Sequence, residues 1–169
     1  MADLTGTPFD DDDIWFPALI GTEGDDKIFG ADTLIGNGGA DVLNGGALSD
    51  VLFGNDGFDF LNGGFGHDRL NGGAGPDRFF HQGVAGHGSD WIQDYAAAEG
   101  DRLVWGGAAS ATESQFQVNI AHTEGAGSAA VDEAFVIWRP PGQILWALVD
   151  GAGQNDIRLQ IGGEVFDLV

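Results

Sequence analysis

The chain has 169 residues, of which 27 are acidic and 6 basic, giving a formal net charge of −21, and it contains no cysteine. Disulfides, thiolate metal sites and cysteine catalysis are excluded, and the scarcity of Lys and Arg argues against binding to nucleic acid or anionic membranes. Hydrophobic residues make up 43%, enough for a folded chain, yet 30 glycines far exceed the usual share of ~7%.

In chain order, residues 1–20 come first. Met1-Ala2-Asp3-Leu4 lacks the positive and apolar stretches of a cleavable signal, and no apolar run reaches the ~18 residues of a membrane span. The stretch is read as an N-terminal capping segment, with Gly6-Thr7 and Asp12-Asp13-Ile14 as a degenerate repeat unit. From Gly21 a period of nine takes over. GTEGDDKIF (21–29) is followed by GNGGADVLN (36–44), GGALSDVLF (45–53), GNDGFDFLN (54–62), GGFGHDRLN (63–71) and GGAGPDRFF (72–80). Gly30 to Ile35, GADTLI, fits the frame once three turn residues are deleted.

The sixth position is always aspartate: Asp26, Asp32, Asp41, Asp50, Asp59, Asp68 and Asp77. The eighth is always apolar: Ile28, Leu34, Leu43, Leu52, Leu61, Leu70 and Phe79. A G-x-x-G stretch turns tightly and points carbonyl oxygens inward, because glycine accepts positive φ. The x-apolar-x stretch is a short strand with one side chain facing the interior, so single units cannot bury their apolar side and must stack. Two units make one coil, which places Asp26, Asp41, Asp59 and Asp77 along one edge and Asp32, Asp50 and Asp68 along the other. Carboxylates stacked at the ~4.8 Å strand spacing repel unless a cation lies between them. Oxygen donors without soft ligands select Ca²⁺ over zinc or copper. The carbonyl donors are assigned to Gly36, Gly38, Gly45, Gly54, Asp56, Gly63, Phe65, Gly72 and Ala74. Leu48 replaces a fourth-position glycine and is expected to distort its turn and weaken its site, and the deletion before Asp32 is expected to cost another. The repeats then hold on the order of four to six ions.

The match to G-G-x-G-x-D-x-U-x (U apolar) resembles the RTX, or hemolysin-type, repeat proteins. That resemblance implies a right-handed parallel β-roll with calcium between its turns, and bacterial secretion by a type I apparatus without an N-terminal signal peptide. It also implies a chain that is open in low-calcium cytosol and folds outside the cell, in keeping with metal-binding energy acting as folding energy. Ser89-Asp90-Trp91-Ile92-Gln93-Asp94-Tyr95 and Gly100-Asp101-Arg102-Leu103 resemble the closing segment of serralysin-type RTX domains, which adds Asp90 to the metal set. The expected organisation is a cap at 1–20, the roll at 21–80 and an antiparallel β-rich cap at 81–169. Within the last, strands are predicted at 116–121, 131–139, 143–149, 156–161 and 164–169, with Pro140-Pro141-Gly142 as a turn. Asp150-Gly151-Ala152-Gly153-Gln154-Asn155-Asp156 is similar to an acidic D-G-x-G loop without an EF-hand's closing Glu. Phe166-Asp167-Leu168-Val169 resembles the ending of type I secretion substrates, and reads equally as a final edge strand.

No catalytic residues are assigned. His67, His81, His87 and His122 show no H-E-x-x-H spacing, and no G-x-S-x-G elbow occurs. Carboxylate pairs such as Asp10–Asp13 or Asp25-Asp26 are read as calcium ligands or solvated acids. Phe58, Phe60 and Phe65 fall at outward positions and form a candidate interface; packing under Ile14-Trp15-Phe16-Pro17 or under the C-terminal cap is the competing reading. Trp91, Trp105, Trp138 and Trp146 are assigned to the cap core, with a sugar-stacking surface as the alternative. The leading expectation is thus a secreted, non-enzymatic calcium-binding module. The alternatives are a calcium-dependent polysaccharide or cell-surface binding module, and an accessory domain of an RTX hydrolase or epimerase. RTX modules of polyuronate epimerases contact acidic polysaccharide, but six basic residues support direct polyanion binding only weakly.

Overall fold

A computed structural model of the chain describes residues 3–5, 18–30, 33–140 and 142–169. Asp32, Asp10–Asp13, Ile14–Pro17, the degenerate first unit and Pro141 lie outside the described residues. The strands are β1 (Asp3–Thr5), β2 (Leu19–Ile20), β3 (Lys27–Phe29), β4 (Thr33–Gly39), β5 (Val42–Ala47), β6 (Val51–Gly57), β7 (Phe60–Phe65) and β8 (Arg69–Ala74). They continue as β9 (Arg78–His81), β10 (Asp90–Ile92), β11 (Arg102–Trp105), β12 (Phe116–Ala121), β13 (Glu133–Trp138), β14 (Gln143–Leu148), β15 (Arg158–Ile161) and β16 (Glu164–Asp167).

Successive nonapeptides alternate between two facing sheets, as an odd-even split of the strands shows. The first sheet runs β1-β3-β5-β7-β9-β11-β15-β16 and the second β12-β13-β14-β10-β8-β6-β4-β2. Register follows the repeat: Ile28 pairs with Leu43, Leu43 with Leu61 and Leu61 with Phe79, all in parallel. In the second sheet Leu34, Leu52 and Leu70 stack in the same way. Every one of these eighth-position side chains is fully buried, each contributing roughly 1.5–3 kcal/mol of apolar burial. The chain is a parallel β-roll with an apolar ladder on each inner face.

The sheets do not stop at residue 80. β10 and β11 pair in parallel with β8 and β9, and β14 and β15 pair in parallel with them in turn. Ile92, Leu103, Leu148 and Leu159 extend the two ladders, all fully buried. Antiparallel pairing is confined to β12-β13-β14 and β15-β16. The strand expected at 116–121 is found, and those at 131–139, 143–149, 156–161 and 164–169 are shorter by one or more residues at their ends. Trp146 and Trp105 are core residues here, with Trp138 packed 4.8 Å from Trp105, whereas Trp91 lies half-buried against Phe135.

The nonapeptide turns end where side chains replace the next coil's backbone. Asp94 accepts the amides of Gly72 (3.0 Å) and Gly73 (2.7 Å), and Glu99 accepts that of Gly75 (3.2 Å). Leu48 stands at a positive φ of 79°, whereas Gly39, Gly57, Gly66 and Gly75 at the same repeat position have φ between 120° and 156°. The backbone at Leu48 thus departs from that of those glycines, and the residue takes left-handed strain of about 1–2 kcal/mol. Leu48 is 55% exposed and has little packing to lose. Leu48→Gly is expected to raise stability by about 0.5–1 kcal/mol after the entropy cost of glycine, read as a higher denaturant midpoint at unchanged slope. A lower midpoint would show that the side chain contributes more than its strain costs.

Candidate metal centre

Each aspartate of the repeat is held by the coil before it. The amide of Asp26 donates to Asp41 Oδ1 (2.7 Å), that of Asp41 to Asp59 Oδ1 (2.8 Å), and that of Asp59 to Asp77 Oδ1 (2.9 Å). The series closes on Asp101, whose Oδ1 accepts the amide of Asp77 at 2.9 Å and whose Oδ2 accepts that of Ala96 at 2.8 Å. On the opposite edge Asp50 donates to Asp68 Oδ1 at 2.9 Å, with Asp90 beyond them. The predicted edges are therefore the observed ones for the described aspartates. Asp101 is the residue that the sequence reading left out of the metal set, although Asp101-Arg102-Leu103 repeats the Asp-x-apolar signature and was already noted as a closing segment.

The second carboxylate oxygens are another matter. Oδ2 of Asp41, Asp59, Asp68 and Asp77 is buried and accepts no hydrogen bond, and neither oxygen of Asp90 does. These oxygens turn toward the first-position glycines of their own units. A Cβ built on Gly54 would collide with Asp59 Oδ2 and lie 2.6 Å from the carbonyl oxygen of Gly72, one coil on. The same pairing recurs at Gly36, where Asp41 Oδ2 and the Gly54 carbonyl (2.8 Å) converge, and at Gly45, with Asp50 Oδ2 and the Gly63 carbonyl. First-position glycine is thus required for space rather than for an unusual φ.

Buried carboxylates left without donors resist ionisation. Burial, reinforced by neighbouring acids, pushes Asp59 and Asp101 up to about 6 and Asp77 to about 7. Asp41, Asp68 and Asp94 are raised by burial too, and Asp90 is raised well above the usual carboxylate range by burial and by Asp68. A hard cation with oxygen ligands reverses that balance, and the donor set of inward carboxylate plus main-chain carbonyl fits Ca²⁺. Among the described residues no three His, Asp or Glu side chains converge on one point, so carbonyls have to complete any ligand shell.

Asp56 and Ala74 lie side by side at the third position in β6 and β8, with Gly38 before them in β4, while Phe65 occupies that position in β7. The three candidate phenylalanines have different ring partners. Phe58 lies under the guanidinium of Arg78 (4.6 Å), half-buried Phe60 packs on Phe80 (5.5 Å), and Phe65, on the other edge, packs on His87 (4.9 Å). Phe58 and Phe60 thus both lie beside Arg78, while Phe65 packs elsewhere. His81 is fully buried against His87, donates through Nε2 to the Gly88 carbonyl and accepts the Gly83 amide at Nδ1, and burial lowers it to about 4. The 150–156 loop is tied to its surroundings: Asp150 accepts Ser128 N, Gln154 accepts Ala97 N, and Asp156 pairs with Arg158.

The profile of the RTX calcium-binding nonapeptide repeat matches residues 18–32 and 45–79 in four copies. The chain carries RTX calcium-binding repeats. No curated protein matches the chain by sequence. Among solved structures, this chain is similar to the AlgE6R3 subunit of the mannuronan C5-epimerase from Azotobacter vinelandii, a solution structure. Identity is 23% over 87% of this chain and 71% of that one, with a TM-score of 0.40.

Proposed function

We propose that the RTX roll is a calcium-gated folding module that works outside the cell and has no catalytic role. The observation that carries this reading is the set of buried Oδ2 atoms, which at Asp41 and Asp59 lie with a carbonyl of the next coil beside a space kept open by glycine. Without a cation these carboxylates repel one another and remain unsatisfied; with one, the repulsion becomes the force that joins successive coils. Asp41, Asp59 and Asp77, with the carbonyls of Gly54 and Gly72, are the foremost ligands, and Asp26, Asp50, Asp68, Asp90 and Asp101 line the remaining gaps. Export through a type I apparatus belongs to the same reading, since a chain that closes only in millimolar calcium stays open where calcium is scarce.

Asp59→Ala against Asp25→Ala tests the assignment. Asp59 is buried within the ladder, whereas Asp25 is exposed and only accepts the amide of Ala40. Isothermal calcium titration should show a weaker or missing site for Asp59→Ala and a nearly unchanged isotherm for Asp25→Ala. Equal losses would mean that the ligands lie elsewhere in the repeat.

A further inference from the structure

The connection between β12 and β13, residues 122–132, lies back over the outer face of the second sheet and is fastened on both sides of its tip. Buried Glu133 accepts the amide of Thr123 at 2.6 Å, and Asp150 accepts that of Ser128 at 2.8 Å. Gly127 sits so close to the sheet that a Cβ on it would meet Val149 Cγ1 at 2.6 Å and Asp150 Oδ1 at 2.5 Å. The turn at 123–126, closed by the Ala126 amide on the Thr123 carbonyl (3.2 Å), therefore stands as a fixed wall.

The register of the sheet supplies the facing wall. Arg69 of β8 lies beside Trp91 of β10, Trp91 beside Ala147 of β14, and Ala147 beside Phe135 of β13. Because Ala147 is small, the rings of Trp91 and Phe135 meet edge to face, 6.1 Å apart and at 86°, and Ala147 is buried. That contact holds the Trp91 ring in place. Arg69, Trp91 and Gln93 line one side of a recess of about 310 Å³, and residues 123–126 line the other. Two charges of opposite sign, Arg69 and Glu124, share this space without meeting: among the described residues neither forms an ion pair.

We propose that this recess binds a free α-amino acid with a large apolar side chain. The Arg69 guanidinium takes the carboxylate as a two-pronged, charge-assisted pair, Glu124 takes the ammonium group, and the side chain lies against the Trp91 ring. Charge decides the class. A simple anion would meet Glu124 and the field of a chain with net charge −21, and a simple cation would meet Arg69. A molecule that carries both signs is neutral overall and escapes both penalties. Size agrees, because the recess lies at the low end of the ~300–1,000 Å³ of small-molecule pockets and has room for one compact molecule. The site stands outside the aspartate ladders and depends on calcium only as far as the roll does.

The test is titration of the calcium-saturated full chain with L-phenylalanine, followed by nuclear magnetic resonance of the amide and indole N–H groups. Saturable shifts are expected at the Trp91 indole and at the amides of 123–126. N-acetyl-L-phenylalanine, which lacks the ammonium group, and L-phenylalaninamide, which lacks the carboxylate, should each bind at least roughly tenfold more weakly. Arg69→Gln and Glu124→Gln, at exposed positions, should each lose a similar factor for L-phenylalanine while the calcium-loaded circular dichroism spectrum stays unchanged. Arg69→Gln should cost nothing further with the amide, since the charge it serves is already gone, and Arg139→Gln should bind as the parent does. Three results would each overturn the proposal. One is the absence of saturable shifts at these groups; another is an affinity indifferent to the Arg69 and Glu124 substitutions. The third is equal or tighter binding of a neutral disaccharide, or of a tripeptide that begins with phenylalanine.

Discussion

Excess chelator at about pH 8 is expected to abolish the β-sheet circular dichroism of the calcium-loaded protein, and acidification to about pH 5 in the same chelator is expected to restore part of it. The first half follows from the ladders of Asp26, Asp41, Asp59, Asp77 and Asp101, whose charges stack through the length of the roll. The second half follows from their protonation. In the metal-free fold Asp59 and Asp101 titrate near 6 and Asp77 near 7, above the value of about 3.9 that an unfolded chain shows. Between about pH 4 and pH 7 the folded chain therefore binds more protons than the unfolded one, so metal-free stability is greatest at the acid end and is lost as pH rises through the folded values. With calcium the slope has the opposite sign, because protons compete with the metal for the same oxygens. A spectrum unchanged by chelator at about pH 8, or slopes of the same sign in both states, would contradict calcium-gated folding.

Gly54→Ala is expected to be among the most damaging single substitutions, costing about 4 kcal/mol or more. Its Cβ would collide with Asp59 Oδ2 and lie 2.6 Å from the Gly72 carbonyl, so the methyl group removes both the space and the oxygen pair proposed to hold a cation. Gly24→Ala is the matched control. Nothing lies within 4 Å of a Cβ at Gly24, and its φ is not positive, so this change is neutral or stabilising by about 0.4–1 kcal/mol. Thermal midpoints in saturating calcium, together with calcium titrations, separate the two. Similar midpoints for both variants would show that first-position glycine is not there for space.

Much of this was written in the period of the sequence. One aspartate and one apolar residue per nine predicted which side chains line the edges and which fill the interior, and Leu61 and Asp59 are where that frame puts them. The continuation of the sheets through β10, β11, β14 and β15 was hidden, because the coils there close through long irregular connections such as 106–115 and 149–157. Strand stacking persists after the nine-residue spacing is lost, since only the buried side chain is needed to stack. Asp101 escaped for a related reason: it follows Glu99-Gly100 rather than a G-x-x-G turn, yet serves the same amide-accepting role.

The hydrogen bonds between aspartates all run one way. Each coil lends an amide and depends for its partner on the coil that follows, and the last acceptor, Asp101, is steadied by Ala96 from beyond the glycine turns. The two ends of the roll are therefore not equivalent. Losing coils from the Asp26 end shortens the ladder but leaves every remaining amide matched. Losing Asp101 strands the amide of Asp77, and the disorder has a route back through Asp59 and Asp41. Stability of such a stack is passed from each coil to its neighbour, and the coil that carries Asp101 closes the series of acceptors.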